Sequence, residues 1–161
     1  MRQLLKFLHT LGAIGMMGAM ASLGVLLIFA PAPTALAEYA AVRSAMAAVA
    51  TWIFMPSLGV TLIAGLLAIA ASPAFHNAGW AWAKAASGIL IFEGGFVSVL
   101  GPMQREAADS VKALAGKFDP ALLGVSLSAE KMTIWILLAV SVANVVLGVW
   151  RPYLTRRRSA E

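Results

Sequence analysis

Four side chains that could carry chemistry lie within, or at the edge of, long apolar stretches. His9 stands near the start of the first stretch, Lys84 and Glu93 in the third, and Asn144 in the fourth. A charged group left in hydrocarbon costs at least ~2.5 kcal/mol, so ionisable residues in such segments are rare and commonly functional. The three ionisable residues are therefore functional candidates, and the polar Asn144 is considered with them.

His9, Lys84 and Asn144 are expected to share one layer of a membrane protein. His9 and Lys84 lie near the beginning of two helices that enter from the same side, and Asn144 lies ~10 Å before the end of a helix that returns to it. A neutral imidazole is a common ligand of transition metals and of haem iron. It can equally hydrogen-bond to a backbone carbonyl or a headgroup. The lysine could bind a haem propionate, act as a second ligand, or extend its ammonium to the interface.

Glu93 is expected to lie near the midplane. It is ~13 Å deeper than Lys84 and on roughly the opposite face of the same helix, so the two side chains cannot pair. A carboxyl at this depth could handle protons or hold a polar group of a substrate. The simpler interpretation is a hydrogen bond to a serine or threonine of a neighbouring helix.

The composition predicts an integral membrane protein. Hydrophobic residues make up 61% of the chain and the mean hydropathy is +0.86. Four apolar stretches, at about 7–30, 44–71, 80–100 and 132–150, are each close to the ~20 residues that a spanning helix needs. Uninterrupted apolar runs favour helices over the alternating pattern of a barrel. We therefore expect an all-α, four-helix transmembrane bundle formed by a single domain, residues 1–161.

Prolines predict where these helices bend or end. Pro56 lies inside the second stretch and predicts a kink, and Gly101-Pro102 predicts the end of the third helix. Beyond that break, the spacing of apolar residues over about 103–118 predicts an amphipathic helix that lies on the outer interface.

The basic residues predict the topology rather than nucleic-acid binding, because they stand at the membrane ends. One side is almost purely cationic, whereas each cation on the other side is matched by a nearby acid. The positive-inside rule then places both termini in the cytoplasm, N-in/C-in. The cationic side carries Arg2, Lys6, Lys84, Arg151, Arg156, Arg157 and Arg158.

Two further features concern processing and cysteine chemistry. Ala35-Leu36-Ala37 before Glu38 resembles a signal-peptide cleavage site. The apolar run from Phe7 to Ala30, however, is longer than the roughly 7–15 apolar residues of a signal peptide. We therefore expect a retained first helix. Cysteine is absent, which excludes disulfides, thiolate metal sites and iron–sulfur clusters.

Small residues and methionines open two alternatives to a cofactor site. Gly12, Gly15 and Gly18 recur at three-residue spacing, which allows close helix packing within the chain or against a larger membrane complex or a second copy. Thioethers suit Cu(I), although methionine is also a common filler of packed helices. The methionines concerned are Met16, Met17, Met20 and Met55.

Several short motifs resemble known families. The chain resembles an uncharacterised bacterial family of four-helix membrane proteins, domain of unknown function 2269. The motifs that carry the resemblance are Leu8-His9-Thr10 with Gly12 and Gly15, Trp80 four residues before Lys84, and 149–153 at the end of the fourth helix. More distantly, they resemble the HemJ-type membrane protoporphyrinogen oxidase and the membrane region of copper-resistance protein D.

The resemblance to the HemJ type implies a function for the candidate site. In that type a first-helix histidine and a third-helix lysine are essential and haem b is bound, so the matching positions would be His9 and Lys84. The chain departs from the oxidase where 16–20 replaces its aromatic-Leu-Pro-Arg-Leu segment. We therefore expect a haem b site formed by His9, Lys84 and Asn144, with His9 as the iron ligand and Glu93 handling protons. There are two alternatives. The chain could be an accessory or assembly subunit of a larger membrane complex, or a protein that handles copper or a small solute.

Overall fold

The computed structural model describes residues 2–73 and 78–150, and these are helical apart from short connections. The chain forms α1 (Arg2–Phe29), α2 (Leu36–Val49), α3 (Met55–Ala70), α4 (Gly79–Gly95), α5 (Gly101–Leu114) and α6 (Leu127–Trp150). A short 3-10 turn, Pro120–Leu122, precedes α6, and no strand occurs in the described ranges. The expected all-α bundle is confirmed.

Four elements are long and apolar enough to cross a membrane: Gln3–Phe29, Leu36–Ala70, Gly79–Leu114 and Pro120–Trp150. The chain is therefore described as a multi-pass membrane protein. α1 packs against α3 and α6, and α4 packs against the same two helices, so α1 and α4 occupy diagonal corners of the bundle. We call the end where α1 begins and α6 ends the terminal end, and the opposite end the loop end.

Two prolines are accommodated inside long helices by π-helical segments. Ala50–Phe54 precedes Met55-Pro56, where the Met55 N–H bonds to Ala50 O. Phe96–Leu100 precedes Gly101-Pro102, where the Gly101 N–H bonds to Phe96 O. The wider π turn separates each proline ring from the carbonyl groups of the preceding turn. Each proline also stands in the first turn of the next α-helix, where a missing N–H breaks no hydrogen bond of that helix.

The predicted break at Gly101-Pro102 is therefore wrong, since α4 continues through the π-helical segment into α5. The amphipathic helix expected at 103–118 is present as α5, but its apolar face packs against α2. The second element likewise begins at Leu36, earlier than the predicted residue 44. These extensions of the second and third elements pair at the loop end, where the buried residues of α5 are Met103, Ala107, Ser110 and Ala113.

The apolar core fills the middle of the bundle. It is built from large side chains such as Met20, Leu23, Phe54 and Ile91, all almost completely buried. Many of the remaining large apolar side chains point outward, as expected of helices whose surroundings are lipid rather than water. The core thus separates a polar region at the terminal end from another at the loop end.

Candidate functional site

A cavity of about 360 Å³ opens between α1, α3, α4 and α6 in the terminal half of the bundle. Apolar groups make up most of its wall, from Leu5 near the terminal end to Leu58 in the middle. Three of the four residues singled out by the sequence, His9, Lys84 and Asn144, line it together. Counting helical rise along the sequence thus placed them at compatible depths, although their roles stay predictions.

The ring of His9 is fixed by the neighbouring helix α3. Nδ1 lies 2.8 Å from Thr61 O, and a carbonyl oxygen can only accept, so Nδ1 carries the proton and donates it. The lone pair of the neutral ring is therefore on Nε2. Gly65, one turn further along α3, also lies against the ring, since a Cβ there would come within 3.2 Å of Cε1 and Nδ1. Both contacts hold one tautomer in one orientation, as histidine ligands of metals require.

Glycines in α1 create the close approach that makes this contact possible. A Cβ on Gly12 would lie 2.5 Å from Thr61 Oγ1, and one on Gly15 would lie 2.5 Å from Ser57 Oγ. The Thr61 hydroxyl donates to Ser57 O at 2.7 Å, so the polar groups of α3 on this seam are satisfied locally. Gly12 and Gly15 are thus used for packing within the chain, whereas a Cβ on Gly18 would meet nothing within 4 Å.

Lys84 enters the cavity wall from α4 and crosses towards α6. Its Nζ lies only 2.7 Å from the position of a Cβ on Gly148, so the absence of a side chain there makes room for the ammonium. Lys6, from α1, lines the same cavity. Two cationic groups therefore stand at the terminal end of an apolar chamber, an arrangement that suits a ligand with an apolar body and anionic groups at one edge.

Asn144 is held by α4. The Ser87 hydroxyl donates to Asn144 Oδ1 at 2.8 Å, and Ser87 Oγ also lies 2.9 Å from Ala83 O in its own helix. With its oxygen engaged, the Asn144 amide nitrogen offers N–H donors. The sequence indicated Asn144 by depth, whereas the role of Ser87 could be recognised only once the two helices were placed side by side.

Glu93 does not lie on the cavity. Its side chain is exposed on the outer face of α4, and no hydrogen bond to it is found in residues 2–73 and 78–150. Met16 and Met17 do line the cavity with His9, whereas Met20 is buried in the core. His9, Met16 and Met17 recur at positions i, i+7 and i+8, a spacing that puts all three on one helical face.

A second polar cluster, at the loop end, was missed by the sequence analysis. The Arg43 guanidinium donates two hydrogen bonds to the Glu130 carboxylate, from Nη1 at 2.7 Å and from Nη2 at 3.0 Å. Glu106 Oε1 lies 3.8 Å from Arg43 Nη2 and accepts from the Tyr39 hydroxyl at 2.5 Å and from Gly124 N at 2.7 Å. Arg43 is 1% exposed and Glu130 3%. Arg43, Glu106 and Glu130 therefore form a largely buried network.

One sequence signal could have revealed this network. One helical face carries residues at four-, three- and four-residue spacing, and this spacing places the arginine among buried side chains. The residues are Tyr39, Arg43, Met46 and Ala50. That spacing is visible only if the helix begins before residue 44. Because the predicted helix started at Ser44, Arg43 was assigned to its flank.

A metal site built from His, Cys, Asp and Glu side chains alone has no support in the described part of the chain. No group of three or more His, Cys, Asp or Glu side chains there could hold a metal ion. An ion at His9 would need ligands of another kind, from a porphyrin, thioethers or a lysine.

Comparison of the chain with protein-family models, with curated proteins and with solved structures finds no match in any of the three.

Proposed function

We propose that this chain is a multi-pass protein of the inner membrane, with both termini in the cytoplasm, that binds haem b in the cavity. His9 Nε2 would hold the iron. The observation that carries this proposal is the bond from His9 Nδ1 to Thr61 O, which leaves the second ring nitrogen as the electron-pair donor on a residue of the cavity wall. An imidazole oriented in this way would suit a ligand of haem iron.

The chemistry of the cavity wall supports such a group. The wall is mostly apolar, as the macrocycle requires. Lys6 and Lys84 would bind the two propionates at the terminal end, and the Asn144 amide offers a further donor. When bound, haem b would supply a one-electron redox centre.

The role of each residue follows from its position. His9 would bind the iron, Thr61 and Gly65 would orient the ring, and Lys84 would be positioned through the space at Gly148. Glu93 lies outside the cavity, so a proton-handling role for it would have to act from the outer face of α4. The proposal therefore concerns binding and redox chemistry, and no substrate is assigned.

A visible spectrum of the purified full chain tests the proposal. We expect a Soret band that is lost in His9→Ala. The matched control is His76→Ala, since the chain has only two histidines and His76 lies outside the described residues. The control should keep the band. A colourless wild type, or equal spectra for wild type and His9→Ala, would overturn the proposal. A colourless protein that copurifies with other subunits would instead support an accessory role.

Cu(I) binding is the second candidate, and one observation favours it. Met16 and Met17 line the same cavity as His9, and thioether and imidazole groups both bind copper. Copper binding would appear as competition with a Cu(I) chelator by a protein without a Soret band. Met16→Leu and Met17→Leu would weaken that competition, whereas Met132→Leu, exposed on α6, would not.

A further inference from the structure

The carboxyl of Glu93 is placed where lipid would surround it. The side chain is exposed on α4, next to the exposed apolar residues Leu90, Phe96 and Val97. It has no hydrogen-bond partner in the described part of the chain. A carboxylate facing hydrocarbon near the midplane costs about 2.5–3.5 kcal/mol, so such groups face other protein or water. A protein contact that covers Glu93 would remove this cost.

Packing contacts give the depth of Glu93. The next residue, Gly94, lies against Leu137 of α6, where a Cβ would come within 3.3 Å of Cδ2. Gly24 of α1 lies against Ile134 of the same helix, one turn closer to the loop end. Because α1 and α4 both run antiparallel to α6, Glu93 is level with the loop-side half of α1, about one turn before Gly24.

At that level the outer face of α1 has a shallow polar notch, formed by Gly18 and Ser22. A Cβ on Gly18 would meet nothing within 4 Å, so the backbone is open to a neighbour. One turn further, Ser22 is exposed and its hydroxyl donates to Gly18 O at 2.9 Å. Other exposed side-chain hydroxyls of the described helices, Thr10, Ser44 and Ser128, lie nearer the two ends. In the described helices, Glu93 and Ser22 are thus the exposed carboxyl and the exposed hydroxyl of this layer.

The arrangement of the bundle allows Glu93 of one copy to meet Ser22 of another. α1 and α4 occupy diagonal corners and run in the same direction, so the carboxyl and the notch point to different sides of one molecule at the same depth. Copies inserted in the same orientation can therefore bring α4 of one beside α1 of the next, as parallel helices. Such a head-to-tail contact repeats, forming a ring or a row instead of closing as a two-fold pair.

We propose that copies of this chain associate head-to-tail in the membrane, with Glu93 of one copy hydrogen-bonded to the Ser22 hydroxyl in the Gly18 notch of the next. The Ser22 hydroxyl turns from Gly18 O to a carboxyl oxygen of Glu93. Close approach at glycine and hydrogen bonds between helices are the main forces that associate helices in lipid. This proposal is independent of any ligand in the cavity.

The natural absence of cysteine allows a direct test by disulfide cross-linking in native membranes. Val25 and Val97 each lie about one turn to the loop side of Ser22 and Glu93, and they are 52% and 60% exposed. Val25→Cys copies mixed with Val97→Cys copies should form a mixed disulfide dimer. The double variant should form a ladder of larger products.

The same experiment has outcomes that overturn the proposal. Cross-linking of Val97→Cys with itself, in place of the mixed product, would indicate a two-fold contact through α4. No mixed product, or a double variant that stops at the dimer, would equally contradict a head-to-tail contact. None of these results bears on haem content, so failure here is distinguishable from failure of the proposed function.

Substitutions test which groups carry the contact. Glu93→Leu should weaken association in lipid nanodiscs by about 3- to 20-fold, whereas Glu93→Gln, which keeps a hydrogen-bonding group, should retain it. Gly18→Leu should also weaken it. Gly59→Leu is the matched control, because a Cβ there likewise meets nothing within 4 Å. Unchanged association in both Glu93→Leu and Gly18→Leu, with the helical signal preserved, would refute the assignment.

Discussion

The imidazole of His9 shows how much a single residue depends on its neighbours. Its ring is fixed by one carbonyl, Thr61 O, and by one glycine, Gly65, both on the facing helix. The type and depth of His9 could be recognised from the sequence. The tautomer could not, because it depends on which atom of α3 faces the ring.

Gly65 provides a test of this arrangement at the level of one methyl group. In Gly65→Ala the new Cβ would lie 3.2 Å from Cε1 and Nδ1 of His9, so the ring must shift by a few tenths of an ångström. We expect roughly 10-fold weaker haem retention and a shifted Soret band, in line with changes to groups that orient metal ligands. Titration with haem, monitored by absorbance, measures both.

The control for this change is Gly59→Ala, on the same helix but facing open space. It should leave affinity and spectrum unaltered. If Gly65→Ala behaves like Gly59→Ala, the ring of His9 is not held as described, and its role as an oriented ligand is contradicted.

Glu93 and Arg43 mark the limits of prediction from single residues. The depth of a residue along a helix follows from counting residues at the helical rise. His9, Lys84 and Asn144 were expected in one layer on this basis, and they line one cavity. Which way a side chain points depends on how the helix is rotated against its neighbours. That rotation puts Glu93 on the outer face and Arg43 in the interior.

The helical elements were predicted in number and type, because long apolar runs leave the chain few other structures in a membrane. Their ends at the loop side were not. Pro56 and Pro102 normally bend or end helices, but each follows a π-helical segment that lets the element continue. A proline in the sequence does not by itself distinguish the end of a helix from a π-helical continuation. In the folded chain the two π-containing elements pack closely, as where Phe54 lies against Gly95.

The buried ion pair between Arg43 and Glu130 joins two of these elements, α2 and α6. Glu130→Leu should destabilise the protein by about 3–5 kcal/mol, because the guanidinium would stay buried without its main partner. Arg43→Leu should cost a similar amount. Chemical unfolding in detergent, followed by helical circular dichroism, measures these free energies of unfolding.

The double variant distinguishes a coupled pair from two independent losses. In Arg43→Leu/Glu130→Leu no uncompensated charge of the pair remains, so we expect a smaller loss of stability than the sum of the two single variants. The exposed pair Lys112 and Asp109 is the control, since its disruption should cost less than about 1 kcal/mol. Strictly additive losses at Arg43 and Glu130 would argue against the network.

At the scale of the whole molecule, polar groups are separated into two regions by an apolar core. The cavity with His9 and Lys84 occupies the terminal half, and the ion pair closes the loop end. Ligand binding and structural stabilisation are thus assigned to opposite ends. Changes in the ion-pair network are expected to lower stability without altering the cavity directly.

The final prediction concerns the orientation of this molecule in the membrane. In the sequence, cations outnumber acids at the terminal end and after Trp150, whereas the loop end carries nearly balanced charges, among them Lys117 and Asp119. Arginine and lysine are retained on the cytoplasmic side during insertion. We therefore expect the terminal end to face the cytoplasm. Single cysteines can report this, because the chain has none of its own.

In intact cells, Lys117→Cys, in an exposed connection at the loop end, should react with a thiol reagent that cannot cross the membrane. Ser159→Cys should react only after permeabilisation, and a reporter fused after Glu161 should read cytoplasmic. Labelling both with and without permeabilisation controls for the reactivity of each thiol. The reverse pattern would place the loop end in the cytoplasm and, with it, open the cavity that contains His9 and Lys84 towards the outer side.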